Sequence, residues 1–257
     1  MTRLRVFPDA ESVCVAAAAE LAALAGAAVA RSGRFAVALS GGNTPRRLYQ
    51  FLAEPPHRER VPWDRMELFW GDERAVPPEH PDSNYGVAAE VLLAKVPVPA
   101  ERVHRILAER PDLDETAQLY QAEIARVLGV RPDGPPPALD LVLLGMGGDG
   151  HTASLFPYSR ALGERGRWVL AHFVARLGAE RVTFTPPILN RAREVRILVT
   201  GPDKAPTLQA VLEGPHEPER LPAQLIKPGA GRLVWLVDQA AAAQISPSTL
   251  AQAVRAC

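Results

Sequence analysis

The sequence is poor in cysteine and carries no block of like charges. Its two cysteines, Cys14 and Cys257, lie near opposite termini. Because they show no paired spacing, they indicate neither a disulfide framework nor a thiolate metal site. The formal net charge is zero, and the 29 basic residues are scattered along the chain. We therefore expect a protein of the reducing cytoplasm, with no nucleic acid and no membrane among its partners.

Common catalytic signatures are absent as well. The six histidines show no HExxH, HxH or cysteine-paired spacing, so the sequence predicts no metal site. There is no GxSxG elbow, so a serine hydrolase is not predicted either. We expect neither a metal nor a cofactor.

One long apolar run, residues 13–30, has the hydrophobicity of a signal or membrane segment but the wrong details. It is mostly alanine and carries Glu20. Asp9 and Glu11 precede it, where a secretory peptide would carry positive charge. We interpret this run as a buried helix.

Short runs rich in leucine and β-branched residues alternate with helical patterns, which predicts an α/β fold with a mostly parallel sheet. The predicted strands are 35–39, 66–70, 139–144, 195–200 and 232–237, and the predicted helices are 9–30, 45–53, 85–94, 113–128, 204–212 and 247–256. The proline-rich segments 55–62 and 131–137 indicate surface connections too short to divide the chain, so we expect residues 1–257 to form a single domain.

Ligands of open α/β sheets collect at the carboxyl ends of the strands, and the first such end reads 40-SGGNTP-45. Gly41 and Gly42 permit a turn, Thr44 is the predicted N-cap, and Pro45 suits the first helical position. A glycine turn leading into a helix is a potential anion site, but an ordinary strand-to-helix turn explains it equally well. The turn lacks a Gly-Lys-Ser/Thr or GxGxxG spacing, so it is not a nucleotide loop.

Charged side chains follow the second strand, in 71-GDERAVPP-78. Asp72, Glu73 and Arg74 form either a surface ion pair, which is the usual outcome, or a site in which Arg74 clamps a phosphate or carboxylate. Arg181 and Lys204 lie near later strand ends. Each alone is most simply a solvated charge, but together with Arg74 they would form a pocket for a dianionic phosphate.

The most distinctive segment is 139-LDLVLLGMGGDGHTASLFP-157, an apolar strand followed by a glycine loop. Such a loop lets the backbone approach a ligand and leaves N–H groups facing negative charge. His151 at its end suits a general base, because imidazole titrates near neutral pH. The alternative is that His151 merely caps the turn with Thr152. If His151 is a base, it activates water, since no covalent nucleophile is indicated.

The chain resembles the 6-phosphogluconolactonase family through LSGGNTPRRLY, FWGDERAVPPEHPDSNYG, LGMGGDGHTASLFP, RVTFTPPILN and LVTGPDK, in that order. The resemblance spans nearly the whole chain. Glucosamine-6-phosphate deaminases of the same superfamily share a GxGxDGH loop but continue as GHIAFNEP. This chain reads GHTASLFP there, which favours the lactonase.

The resemblance implies a modified Rossmann-like three-layer α/β/α sandwich that hydrolyses 6-phosphoglucono-δ-lactone to 6-phosphogluconate, without metal or nucleotide. His151 would take a proton from the attacking water, with Asp149 orienting the ring or the water. The partner is a small sugar phosphate, and a monomer is expected. The predicted substrate-binding residues are Ser40, Gly41, Gly42, Asn43, Thr44, Asp72, Arg74, Gly147, Gly148, Arg181 and Lys204.

The sequence also departs from the pattern of the family that it resembles. Members usually have serine at Asn43, proline at Gly148, glycine at Tyr158 and an aliphatic residue at Pro186. The segment 171–180 lacks the Pro-Lys that is common before RVT. These changes bear on substrate affinity and on the shape of the phosphate pocket.

Two other functions remain open. An amino-sugar phosphate deaminase or isomerase would use the same histidine for ring opening and a carboxylate to move a proton. A non-catalytic sugar-phosphate sensor would keep the fold without turnover, although the presence of both His151 and Asp149 argues against it.

Overall fold

The computed structural model describes residues 2–251, which form two sheets. The strands are β1 Thr2–Phe7, β2 Phe35–Leu39, β3 Met66–Trp70, β4 Asp72–Arg74, β5 Val103–His104, β6 Leu141–Gly145, β7 Val169–Val174, β8 Ala179–Phe184, β9 Glu194–Val199 and β10 Arg232–Asp238. Seven of them form a sheet in the order β1-β10-β9-β6-β2-β3-β5, and the other three form a sheet in the order β4-β8-β7.

Eight α-helices connect and cover the strands: α1 Ala10–Ser32, α2 Asn43–Leu52, α3 His57–Arg60, α4 Asn84–Val91, α5 Leu113–Leu128, α6 Pro186–Leu189, α7 Ala205–Glu213 and α8 Pro247–Ala251. This number covers the described residues alone. Most predicted helices agree within three residues. The predicted surface connection 55–62 contains α3, and the last five residues of the predicted helix 247–256 lie outside the described part of the chain.

Every neighbouring pair of strands in the seven-stranded sheet is parallel. Its central strands are buried almost throughout, because helices lie on both sides of the sheet. The predicted α/β fold and its three-layer architecture are therefore confirmed. The prediction of a single domain remains a prediction.

The small sheet is antiparallel, with β8 in its centre. Gly71 joins it to the large sheet, because this residue lies between β3 and β4. Its N–H donates to Leu39 O at 2.8 Å, and its carbonyl accepts from Phe184 N–H at 2.7 Å. One residue thus belongs to the hydrogen-bonding pattern of both sheets, which places Arg74 of β4 close to the end of β3.

Helix α1 begins after Asp9, whose side chain accepts from Ser12 N–H, and ends at Gly33 in the left-handed conformation. It is long and apolar enough to cross a membrane by length and composition. Eight of its residues, on the side that packs against α2 and β10, are nevertheless buried within the fold. The helix has the burial of a core helix on one face, as predicted, while its other face is exposed.

Candidate active site

The predicted functional segments meet at the carboxyl ends of β9, β6, β2 and β3, which are neighbours in the sheet. A cavity of about 380 Å³ opens there. It is lined by Ser40, Gly41, Gly42, Asn43, Thr44, Pro45, Asp72, Arg74, Asn84, Gly145, Met146, Gly147, His151, Ala153, Leu198, Val199, Thr200, Asp203 and Lys204. The location agrees with the general rule for ligand sites in parallel sheets.

Three of the predicted site residues, Gly148, Asp149 and Arg181, do not line this cavity. Asp149 lies behind His151 and contacts its ring. Gly148 lies beside the Lys204 ammonium. Arg181 pairs with Arg74 across the β4–β8 ladder. All three therefore adjoin the cavity, each beside a residue that lines it.

The His151 ring is held by Asp149 and by an aromatic neighbour that the sequence analysis missed. Nδ1 of His151 lies 2.5 Å from Asp149 Oδ1, and the His151 N–H donates to the same oxygen at 3.2 Å. A carboxylate at Nδ1 keeps the proton on that nitrogen and leaves Nε2 as the basic one. Phe156 stacks on the ring with 4.3 Å between centroids. Phe156 belongs to the same sequence motif, LGMGGDGHTASLFP, as His151, and this nearness in sequence was the signal that could have indicated the contact.

The pKa of Asp149 reflects opposing influences. Burial alone would raise it, but hydrogen bonds from the His151 ring and N–H, together with the charges of His151 and Arg176, lower it to about 2. Asp149 is therefore ionised at neutral pH and can stabilise an imidazolium. The contact from Arg176, in which Nη1 donates to Asp149 Oδ2, was not predicted. No sequence signal pointed to it, since Arg176 lies 27 residues from Asp149.

The glycine loop brings the backbone close to the His151–Asp149 pair. An added Cβ on Gly147 would lie 2.1 Å from His151 Nδ1 and 2.6 Å from Asp149 Oδ1, so this position requires glycine. Gly147 N–H donates to His151 O, and Gly150 N–H donates to Gly147 O. The expectation that the loop leaves its N–H groups free is thus wrong for these two residues, whose donors fix the loop itself.

The loop also contains a GxGxxG spacing, from Gly145 to Gly150, that is found in dinucleotide-binding folds. That motif requires a helix to begin at the loop, so that its N-terminus faces the pyrophosphate. Here the chain turns through a bridge between Thr152 and Leu155, and the next α-helix begins at Pro186. The loop therefore lacks the geometry of a dinucleotide site.

The turn after β2 differs from its prediction at the start of the helix. The N-cap residue is Gly42, not Thr44, and α2 begins at Asn43. Thr44 Oγ1 instead lies 2.8 Å from Thr200 Oγ1, so its hydroxyl joins the turn to the end of β9. Gly42 has a φ of 108°, which favours glycine, and no side chain caps the helix.

Ser40 has a fixed backbone and an unpaired side chain. Its N–H donates to the Tyr49 hydroxyl at 2.9 Å, and its carbonyl accepts from that hydroxyl at 2.6 Å. The Ser40 Oγ is buried and has no hydrogen-bond partner among residues 2–251. Because a buried hydroxyl normally has a partner, this atom at the cavity wall indicates a place for a ligand acceptor or donor.

Asp72 is anchored by protein donors. Its Oδ2 accepts from Ser154 Oγ at 2.7 Å, and Asn84 Nδ2 donates to its Oδ1 at 3.3 Å and to its carbonyl at 2.9 Å. Asn84 in turn lies so close to Gly41 that an added Cβ there would fall 1.7 Å from Asn84 Oδ1. Asp72 therefore holds the cavity wall together, and Asn84 is a wall residue that was quoted in the sequence but not singled out.

Glu73 and Arg74 do not form the surface ion pair that was considered. Glu73 is buried and accepts from the N–H groups of Arg74, Asn84 and Tyr85, each at 2.8 Å. These bonds fix the loop before α4. Arg74 Nη1 donates to Asp82 O, which directs the guanidinium along the cavity rim.

Arg181 adds a second guanidinium beside Arg74. Burial lowers the pKa of Arg181, and the positive charge of Arg74 lowers it further. Two like charges in one place favour an anion between or above them. Lys204 contributes a third cation to this region and pairs with Asp203 at 2.7 Å.

Metal binding has no comparable basis in the described residues. No three side chains of histidine, cysteine, aspartate or glutamate between residues 2 and 251 converge as ligands. The site consists of a histidine-aspartate pair, a glycine loop and three cationic side chains.

Comparison with known proteins agrees with this arrangement. Residues 8–235 match the family described as glucosamine-6-phosphate isomerases/6-phosphogluconolactonase. The chain therefore belongs to this family. Because the matched region contains every predicted site residue, the family assignment covers the whole site.

Within the family, its close relatives are lactonases. The 6-phosphogluconolactonase of Synechocystis is 42% identical over 86% of this chain and 88% of its own length. The 6-phosphogluconolactonase of Mycobacterium bovis is 36% identical over 94% and 98%. The solved 6-phosphogluconolactonase of Trypanosoma brucei superimposes with a TM-score of 0.84 at 28% identity, covering 96% of this chain and 99% of that one. The predicted enzyme of the 6-phosphogluconolactonase type is thus confirmed.

A monomeric glucosamine-6-phosphate deaminase shares the fold with a TM-score of 0.78 at 19% identity. At that identity the likeness shows the fold alone. The deaminase function considered in the sequence analysis gains no support from it.

Proposed function

We propose that this chain hydrolyses 6-phosphoglucono-1,5-lactone to 6-phosphogluconate, using water activated by His151. The observation that carries the proposal is the His151–Asp149 pair at a cavity that also holds Arg74 and Lys204. A base and two cations around one cavity match a substrate with an acyl carbon and a phosphate. The relatives named above are 6-phosphogluconolactonases, which independently supports this substrate.

In the proposed reaction, Nε2 of His151 takes a proton from water as the water oxygen bonds to the lactone carbonyl carbon. The resulting tetrahedral intermediate collapses by breaking the bond between that carbon and the ring oxygen. The His151 imidazolium then donates its proton to the ring oxygen, which leaves as a hydroxyl. Asp149 stabilises the imidazolium between the two proton transfers.

The carbonyl oxygen becomes negative in the intermediate and needs hydrogen-bond donors. Gly147 and Gly150 donate within the loop, so we assign this role to the other N–H groups of the Gly145–Gly150 loop. Loss of such a donor typically reduces the rate by about 100-fold or more.

The phosphate is proposed to lie against the Ser40–Thr44 turn. Ser40 Oγ would donate to a phosphate oxygen, and Arg74, Arg181 and Lys204 would surround the dianion. The unpaired Ser40 hydroxyl and the mutual repulsion of the two arginines support this position. Asp72 is proposed to hold the wall of the site.

The decay of freshly prepared lactone in chelator-containing buffer tests the proposal. Wild type should accelerate the decay, whereas His151→Ala should lose the acceleration and still bind 6-phosphogluconate. Arg74→Ala should raise KM. Ammonia release from glucosamine 6-phosphate would identify the deaminase instead. Binding of 6-phosphogluconate without acceleration would identify the sensor.

We also propose that the protein is a monomer in the cytoplasm. Sedimentation at several protein concentrations tests the first part. A concentration-dependent increase in mass would refute it.

A further inference from the structure

The turn between β7 and β8 brings a charged side chain to the catalytic pair. Residues Ala175–Leu177 form a short 3-10 turn that ends at Gly178 in the left-handed conformation. From this turn, Arg176 Nη1 donates to Asp149 Oδ2. Asp149 Oδ1 contacts Nδ1 of His151. The two oxygens of this carboxylate therefore contact two different side chains, the Arg176 guanidinium and the His151 imidazole.

The ion pair between Arg176 and Asp149 is partly exposed to solvent. The Arg176 side chain is 53% exposed, whereas that of Asp149 is 20% exposed. Arg176 does not line the cavity, so it acts on the site through Asp149. A partly exposed ion pair contributes little to folding stability, but its charge lies one carboxylate away from the His151 ring.

Several other charged groups lie at or beside the cavity that the ring lines. Asp149 comes from its own loop and Arg176 from the β7–β8 turn. Lys204 and Asp203 come from the segment before α7, and Asp72 and Arg74 from β4, with Arg181 beside Arg74. Phe156 covers one face of the ring without charge. Of the cations, Arg176 alone in this set contacts the carboxylate that binds His151.

We propose that Arg176 is a positioning residue that holds Asp149 against the His151 ring and extends the activity of this pair to lower pH. The positive charge opposes protonation of the imidazole, while Asp149 favours it. The two charges together set the pH at which the base becomes active. This inference rests on the proposed function, because it assigns the pH dependence of that reaction.

The test compares Arg176→Gln with Arg176→Lys and with a matched control. Arg167→Gln is suitable because the Arg167 side chain is also 53% exposed and also pairs with an aspartate, Asp114. The measurement is kcat/KM for the lactone between pH 5 and pH 8. Thermal unfolding of each variant verifies its fold.

Arg176→Gln should move the acid limb of the profile to higher pH by about half a unit at low ionic strength, since one screened charge near the ring is lost. Arg176→Lys should keep the limb close to wild type, because the charge remains. Arg167→Gln should leave it unchanged. Added salt should reduce the difference between Arg176→Gln and wild type.

An unchanged acid limb in Arg176→Gln would overturn the inference, as would a uniform loss of rate at every pH or a lysine variant that behaves like glutamine. The titration midpoint of the His151 ring by NMR gives a readout without turnover. This measurement also separates the two proposals. If the wild type is inactive but the midpoint of His151 is still higher in Arg176→Gln than in wild type, the lactonase reaction is refuted and the role of Arg176 is retained.

Discussion

The close approach of Gly147 to the His151–Asp149 pair gives a steric test of the proposed site. Gly147→Ala adds one methyl group where it would lie 2.1 Å from His151 Nδ1 and 2.2 Å from Cε1. The φ of Gly147 lies outside the left-handed region, so alanine strains no backbone dihedral there. The methyl must therefore displace the ring, because the side chain is the part that can move.

The size of the effect follows from the contact distance. Carbon and nitrogen atoms approach to about 3.5 Å, so a contact of 2.1 Å requires the ring to retreat by roughly 1.4 Å. That movement breaks the 2.5 Å hydrogen bond to Asp149. A displacement of this size can reduce a rate by about 100-fold, while the loss of one partly exposed hydrogen bond destabilises the fold by about 1 kcal/mol.

The assay separates kcat from KM for the lactone. We expect kcat to fall about 100-fold and KM to change little, since the phosphate contacts lie at other residues. Gly163→Ala is the control, because an added Cβ there meets no atom within 4 Å. A Gly147→Ala variant that folds normally and keeps the kcat of wild type would refute the placement of the His151–Asp149 pair.

Two further predictions concern single side chains. Asp149→Asn should be less stable than wild type at pH 6, because the lowered pKa of Asp149 means that its ionised form stabilises the fold. This difference in stability should shrink as pH falls from about 4 towards 2, where Asp149 becomes protonated. Urea unfolding at several pH values measures the difference, and a difference that stays constant would contradict the prediction. Ser40→Ala should weaken inhibition by 6-phosphogluconate about tenfold, because it removes a hydrogen bond to a charged ligand. It should leave thermal stability unchanged, because the buried Ser40 hydroxyl has no partner among the described residues. Unchanged inhibition would exclude Ser40 from the proposed phosphate site.

Five of the seven strands of the large sheet were predictable because they are largely apolar runs, whereas β1 and the two-residue β5 were not predicted. Strands β2 and β3 match their predicted bounds, and β6, β9 and β10 differ by one or two residues at their ends. β1 was missed because its sequence, TRLRVF, alternates arginine with apolar residues as an edge strand does. The small sheet was missed because β4 has only three residues, and β7 and β8 are stabilised by pairing with each other.

The site was predictable where its residues follow strands. Parallel strands bring their carboxyl ends to one edge, so Ser40, Arg74, His151 and Lys204 meet around one cavity as the sequence order suggests. Arg176 was beyond prediction, because a hairpin turn carries it to Asp149 and no periodicity encodes that contact.

Gly71 joins the two sheets, and each sheet carries a different group of the residues around the cavity. The Gly145–Gly150 loop follows β6 of the large sheet, whereas Arg74, Arg176 and Arg181 belong to the small sheet or its hairpin turn. Because Gly71 bonds to Leu39 on one side and to Phe184 on the other, the hairpin tip lies at the opposite end of β8 from this fixed point. A change in the length of that tip would therefore alter the contact from Arg176 to Asp149 and leave the connection between the two sheets unchanged.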